Sequence, residues 1–177
     1  FSAGSIISDA LMFDGSAMTG TEVQAFLATK NPNCVAGSDG SPCLKAFRTD
    51  TTNLSYPNCA TYAGARQESA ATIIAKAGSA CGISQKVLLV MLQKEQGLVL
   101  GTGSGLSSTR YAHAMGLGCP TSSSCDTSRA GFTQQVYGAA SRLATYRATP
   151  TQFNFRAGQT IAISYSPTAS CGSSSVL

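Results

Sequence analysis

The sequence predicts a single mainly helical α+β domain over residues 1–177, and three observations carry that expectation. Helical periodicity runs through residues 69–96 and again through 128–146. A cysteine-containing stretch rich in Asn, Pro, Gly, Ser and Thr fills residues 31–66, and period-2 alternation appears near the C-terminal end. A chain of 177 residues can bury one core and is short for two, and its 43% hydrophobic content excludes wholesale disorder.

Taken in order, Thr21 is placed to cap a short helix that begins Thr21-Glu22-Val23-Gln24. Residues 31–66 are expected to be irregular and held by disulfides, because an unstapled loop of that length is rare in a compact domain. From Ser69 a helix carries Ile73, Ile74, Ala77 and Cys81 on one face and ends at Gly82. Ser84 is expected to cap the next helix, Gln85 to about Gln96, which is apolar around most of its circumference and so is predicted to lie at the centre. Gly97 to Thr109 reads as a mobile Gly/Ser/Thr loop, not a phosphate loop, since it follows a helix and lacks the P-loop spacing. A third helix is expected from about Ser128 to Tyr146. The segment Phe153–Tyr165 is expected to form a small C-terminal β-hairpin turning at Ala157-Gly158.

Composition narrows the setting. Charged residues make up 11% of the chain, against roughly a quarter in ordinary soluble domains. Seven cysteines occur without a CxxC pair, and the single histidine, His113, excludes a Cys2His2 zinc site. Disulfides are therefore expected: Cys34 with Cys43 and Cys119 with Cys125 would close short loops, Cys59 with Cys81 is a third candidate and Cys171 the candidate left over, while spacing leaves the connectivity open. Both features point to a secreted, extracellular protein. No apolar run reaches membrane-spanning length, and Phe1-Ser2-Ala3-Gly4 reads as the start of a mature chain. Asn53-Leu54-Ser55 is a glycosylation sequon in a eukaryotic host. The net charge of +4 favours an anionic partner such as a bacterial wall, but its scatter argues against nucleic acid. No cofactor, metal or membrane partner is expected, and the chain is expected to be a monomer.

Of the eight carboxylates, seven have structural explanations in turns or at helix starts, Glu68 among them. Glu95 differs. Leu88, Met91, Leu92 and Glu95 follow i, i+3, i+4, i+7 spacing, which carries the carboxylate onto the apolar stripe of a helix. Burial there and the negative end of the helix dipole would both raise its pKa, as a general acid for a glycosidic leaving oxygen requires. The other placement is past the edge of the stripe, solvated beside Lys94. Serine or cysteine nucleophiles would need His113, the only imidazole, and no G-x-S-x-G elbow precedes a helix.

The run Cys81-Gly-Ile-Ser-Gln-Lys-Val-Leu-Leu-Val-Met-Leu-Gln-Lys-Glu95-Gln96 resembles the catalytic core of secreted lysozyme-like muramidases of actinobacteria and fungi. The preceding segment Glu68 to Lys76 belongs to the same likeness, as do Tyr111 to Pro120, Gly131 to Ala140 and Ala169 to Ser174, so it spans essentially the whole chain. That family is similar to goose-type lysozymes and soluble lytic transglycosylases. The resemblance implies a lysozyme-like fold and cleavage of the β-1,4 bond between N-acetylmuramic acid and N-acetylglucosamine of peptidoglycan. Glu95 takes the position of the acid, and Ala114-Met115-Gly116-Leu117 that of the segment lining the cleft opposite it.

Two departures from the family pattern stand out. Gln96 replaces the serine usual after the transglycosylase glutamate, and no carboxylate lies between Glu95 and Asp126. Asp126 is the candidate second catalytic residue, positioning water, or else it caps the helix beginning near Ser128. An inverting hydrolase would need the two carboxylates roughly 6.5–9.5 Å apart. Tyr111, His113, Met115, Gly116, Gln134 and Tyr137 are the candidate sugar-binding residues, although His113 and the aromatics have structural roles open to them. Three functions follow as expectations: a muramidase, a lytic transglycosylase using Glu95 alone, or a non-catalytic wall- or carbohydrate-binding module.

Overall fold

Small side chains decide which helix lies at the centre. In the computed structural model, which describes residues 6–120 and 123–177, helix α3 (Ala70–Cys81) buries Ala70, Ala71, Ile73, Ile74, Ala77, Gly78 and Cys81. It packs against α2 (Gly20–Lys30), α4 (Gln85–Gln96) and α6 (Phe132–Ala148). Alanine and glycine let neighbouring helices approach on several sides. The sequence pattern assigned this place to α4, and the structure corrects it. Helix α4 buries Leu88, Leu89 and Leu92 but leaves Val90 66% exposed and Val87 and Met91 half-buried. One cluster of buried apolar side chains joins these helices to Tyr62, Leu98, Leu106, Tyr111 and Phe132.

The helix ends follow local chemistry, with two corrections of register. Thr19, not Thr21, caps α2: its hydroxyl accepts the Glu22 N–H while the Glu22 carboxylate accepts the Thr19 N–H at 2.8 Å. This reciprocal box needs the glutamate three residues after the cap, which fixes the start at Thr19. Ser69 caps α3 and Gly82 closes it as expected, and Gly97 closes α4; both glycines are left-handed. Ser84 stands at the cap position of α4 without a side-chain capping bond. The last long helix begins at Phe132 and not near Ser128, because residues 127–129 form a separate 3-10 turn and Gly131 breaks the helical path. Two short helices, α1 (Asp9–Met12) and α5 (Ser108–Ala112), are capped by Ser8 and Ser107.

Strand content is small and antiparallel. Strand β1 (Arg48–Thr49) pairs with β2 (Glu68–Ser69), and β3 (Ile161–Ser164) pairs with β4 (Ser173–Val176). The C-terminal hairpin exists with other strands than expected. The partner of β3 is Ser173-Ser-Ser-Val176, whose polar composition carries no strand signal. Phe153–Arg156 instead lies in turns and bends, closed by the Arg156 side chain donating to the Phe153 carbonyl.

The pairings Cys34–Cys43, Cys59–Cys81 and Cys119–Cys125 form as expected, and Cys171 is free and exposed. Disulfides alone do not hold residues 31–66. Tyr62 is buried and donates to Glu68, Tyr137 donates to the Ala60 carbonyl and Ser141 to that of Pro57. In the sequon, the Asn53 side-chain oxygen accepts the Gly64 N–H. The Gly97–Thr109 stretch, expected to be mobile, is pinned. Asn31 donates to the Gly101 carbonyl, Gly103 to that of Val35, and Leu98, Val99 and Leu106 are buried. Asp39 accepts the Ser108 and Ser41 N–H groups, and these bonds hold its carboxyl well below the usual carboxylate range.

Glu68 is the clearest departure from its expected role. Its side chain is 6% exposed and is bonded by the Thr51 hydroxyl, by the Tyr62 hydroxyl at 2.7 Å and by Lys76 Nζ at 2.6 Å. Burial alone would raise its pKa. The lysine and the two hydroxyls outweigh burial and hold the carboxyl below its ordinary value. The same burial, with the neighbouring carboxylate, pushes the Tyr62 hydroxyl up.

Removing one member of a buried ion pair strands the others. Glu68→Ala is therefore expected to cost about 3–5 kcal/mol in chemical denaturation. Since the folded pKa is lowered, the contribution of Glu68 is complete above the ordinary value of 4.5 and is lost as pH falls through the lower folded value. The wild type should lose stability below pH 4.5 more steeply than Glu68→Gln, read by denaturation at a series of pH values. A thiol reagent applied to the native chain should titrate one group, Cys171, and removal of Cys171 should abolish that reaction.

Candidate active site

Glu95 stands in the last turn of α4, one residue before its end. Of its two expected placements, the structure shows the solvated one. The Glu95 side chain is 33% exposed, and Oε1 pairs with Lys94 Nζ at 3.0 Å. The enclosure expected from the apolar stripe is absent: Leu88 and Leu92 of the stripe are buried, Met91 is half-buried and Glu95 is not enclosed. The second carboxylate oxygen turns toward the segment after α5. Gly116 there adopts φ of +65°, and a Cβ on it would meet Glu95 Oε2 at 3.1 Å. The backbone conformation favours glycine at this position, and a side chain there would also crowd the carboxylate.

The backbone facing Glu95 is held from α6 by one side chain. Gln135 is fully buried and makes four hydrogen bonds. Its oxygen accepts the N–H groups of Met115 at 3.1 Å and Leu117 at 3.0 Å, and its nitrogen donates to the carbonyls of Leu117 and Arg129, both at 2.8 Å. The sequence reading chose the neighbouring Gln134, which is half-buried and lies against Gly131, its oxygen 2.7 Å from where a Cβ there would stand. A signal for Gln135 existed: it falls three residues after Phe132 and four before Ala139, on the apolar stripe of α6. The next residue of the segment, Leu117, presses its side chain onto Gly138 of α6, where a Cβ would lie 2.5 Å from Leu117 Cδ2.

The other candidate residues separate into site and core. Met115 is buried beneath the segment. Tyr111 is not an open stacking face: it is buried, stacks on Phe47 with centroids 4.4 Å apart and donates to the Pro42 carbonyl at 2.6 Å. Burial pushes its hydroxyl pKa up. Tyr137 is fully buried between Tyr56 and Tyr62, so it too belongs to the core. His113 ends α5, half-buried, with Nδ1 3.4 Å from Cys119 Sγ. The ligand atoms of His113, Cys119 and Cys125 lie within 4.8 Å of one another, but both sulfurs are bridged and offer no thiolate to a metal.

Asp126 takes the capping role. Oδ1 accepts the Ser128 hydroxyl at 2.7 Å and the Ser128 N–H at 3.0 Å, and Oδ2 pairs with Arg129 at 3.3 Å. The Ser128 bonds, with Arg129, hold its carboxyl below the usual range. Its Cβ stands 3.3 Å from where a side chain on Gly118 would begin. Glu95 and Asp126 thus flank two glycines of one short segment, Glu95 with a solvent-facing carboxylate and Asp126 with both oxygens engaged. A solvent-facing carboxylate beside a fixed backbone can exchange a proton with a bound ligand.

Gln135→Leu keeps the volume but orphans two buried N–H groups, at an expected cost of about 2–4 kcal/mol. Hydrogen exchange at the Met115 and Leu117 amides should accelerate, while the Leu88 to Leu92 amides of α4 stay protected. Scans of the chain against models of known protein families, curated proteins and solved structures return no match.

Proposed function

We propose that this chain is a peptidoglycan glycosidase that cleaves the β-1,4 bond between N-acetylmuramic acid and N-acetylglucosamine, with Glu95 as general acid. The observation that carries the reading is that the Glu95 carboxylate faces Gly116 of the clamped segment 114–117, close enough that a side chain there would crowd it. Those are the acid and the cleft-lining segment of the lysozyme-like resemblance. Three disulfides are compatible with an extracellular site of action, and among the described residues no helix is long and apolar enough to cross a membrane. The net charge of +4 suits an anionic wall.

In the proposed reaction Glu95 protonates the glycosidic oxygen as the bond from the muramyl anomeric carbon to that oxygen breaks. In hydrolysis, water supplies the new bond to the anomeric carbon and its proton returns to a carboxylate. The occupied oxygens of Asp126 favour a second reading, in which the 6-hydroxyl of the same muramyl unit attacks and returns its proton to Glu95. That route needs one carboxylate and yields a 1,6-anhydro sugar.

Glu95→Gln should lower lysis of Gram-positive walls by about 10²–10⁴-fold, the usual worth of a general acid, with circular dichroism and thermal midpoint unchanged. Full lysis by the folded variant would remove Glu95 from the mechanism. Wall binding with no release of muropeptides by the wild type would make the chain a binding module. Mass spectrometry of released products separates the two routes, since anhydro ends are lighter by one water than reducing ends.

A further inference from the structure

Leu117 of the segment that faces Glu95 also lines a cavity of about 210 Å³, and its chemistry has no part in the reaction above. Leu117, Tyr56 and Gly138 give it an apolar floor, and Arg129 and Arg142 stand at its walls. The hydroxyls beside them are already engaged: Ser141 donates to the Pro57 carbonyl, and Thr145 donates to that of Ser141 while accepting from Asn58. The guanidinium groups are not. Among the described residues Arg142 has no carboxylate partner and only approaches the Tyr146 ring, at 5.9 Å. Arg129 uses Nε for Asp126, which leaves the outer edge of its fork open. Asp126 offsets the charge of Arg129, so Arg142 supplies the uncompensated positive charge of the cavity.

Two planar forks over an apolar floor suit a carboxylate carried on a small aliphatic group. We propose that this cavity binds a carboxylate of the peptide stem that hangs from the muramyl residue, and that Arg142 is its principal contact. The inference rests on the peptidoglycan reading of Glu95 and names the part of the substrate that reading leaves unassigned. Backbone continuity supports the pairing of the two sites. Gly116 faces Glu95, Leu117 lines the cavity, and Gln135 holds Leu117 and Met115 on either side of Gly116.

The test titrates a soluble disaccharide tetrapeptide into isotopically labelled Glu95→Gln protein, followed by heteronuclear NMR. Parallel titrations use the same disaccharide without its peptide, and glycerol 3-phosphate. Arg142→Gln, in the same background, should weaken binding of the disaccharide tetrapeptide about tenfold, the worth of one charge-assisted contact, and leave the peptide-free disaccharide unaffected. Arg142→Lys should recover part of the loss, since it restores the charge without the fork. In the otherwise wild-type enzyme Arg142→Gln should raise KM on intact walls with little change in kcat. Equal affinity of the Arg142→Gln and parent proteins for the tetrapeptide overturns the proposal. So does an Arg142-dependent response to glycerol 3-phosphate alone, which would assign the cavity to phosphate. If Glu95→Gln abolishes lysis while Arg142→Gln changes nothing, the pocket assignment fails and the glycosidase reading stands.

Discussion

A buried backbone must find partners for its N–H and C=O groups, and in this molecule side chains supply them where helices and sheets do not. Gln135 is the central instance. From inside α6 it satisfies two N–H groups and two carbonyls of chain that has no regular structure. Gln85 of α4 likewise accepts the Met18 N–H and donates to the Gly15 carbonyl, and it also reaches the Ala75 carbonyl of α3. Glu68, Thr51, Tyr62 and Lys76 form a third clamp, which fastens the long 31–66 segment onto α3. Among the described residues no buried side-chain polar atom lacks a partner. With 11% charged residues and little sheet, the fold relies on such amide and hydroxyl clamps.

The candidate site inherits its order from these clamps. Glu95 belongs to a helix, so its Cα is fixed, but its carboxylate is useful only against a surface of constant shape. Gln135 provides that constancy by holding Met115 and Leu117 on either side of Gly116. The same glutamine reaches the Arg129 carbonyl, which links the 3-10 turn capped by Asp126 to the segment facing the acid. The glycine segment and the arginine-lined cavity are therefore held together from α6, and Glu95 reaches the same segment from α4. Glu95 pairs with Lys94 and faces Gly116, whereas Asp126 bonds Ser128 and Arg129.

Several elements were legible in the sequence for local reasons. Helices α3 and α4 show themselves by period and by terminal glycines, and the cysteine pairs by their short or loop-closing separations. The capping role of Asp126 was one of two readings open from its position before a helix. Other features were illegible for equally physical reasons. Tyr111 and Tyr137 look like sugar-stacking faces in sequence, yet their hydroxyls bond Pro42 and Ala60, far away along the chain. Glu68 looks like a first-turn charge, and its true partners Thr51 and Tyr62 come from a segment without periodicity.

The sequence by itself determined the mainly helical class, the glycine that ends α3 and the placement of Glu95 at the end of an apolar helix, and it named the cysteine pairs as candidates. Each of these depends on residues close together in the chain, where spacing and stereochemistry suffice. Only the tertiary structure decided that α3, not α4, is the centre, that Gln135 and not Gln134 faces inward, and that Glu95 is half-open beside Lys94. Those outcomes depend on which surfaces cover one another. A helix's own periodicity names its apolar face but not how much of that face its neighbours will reach.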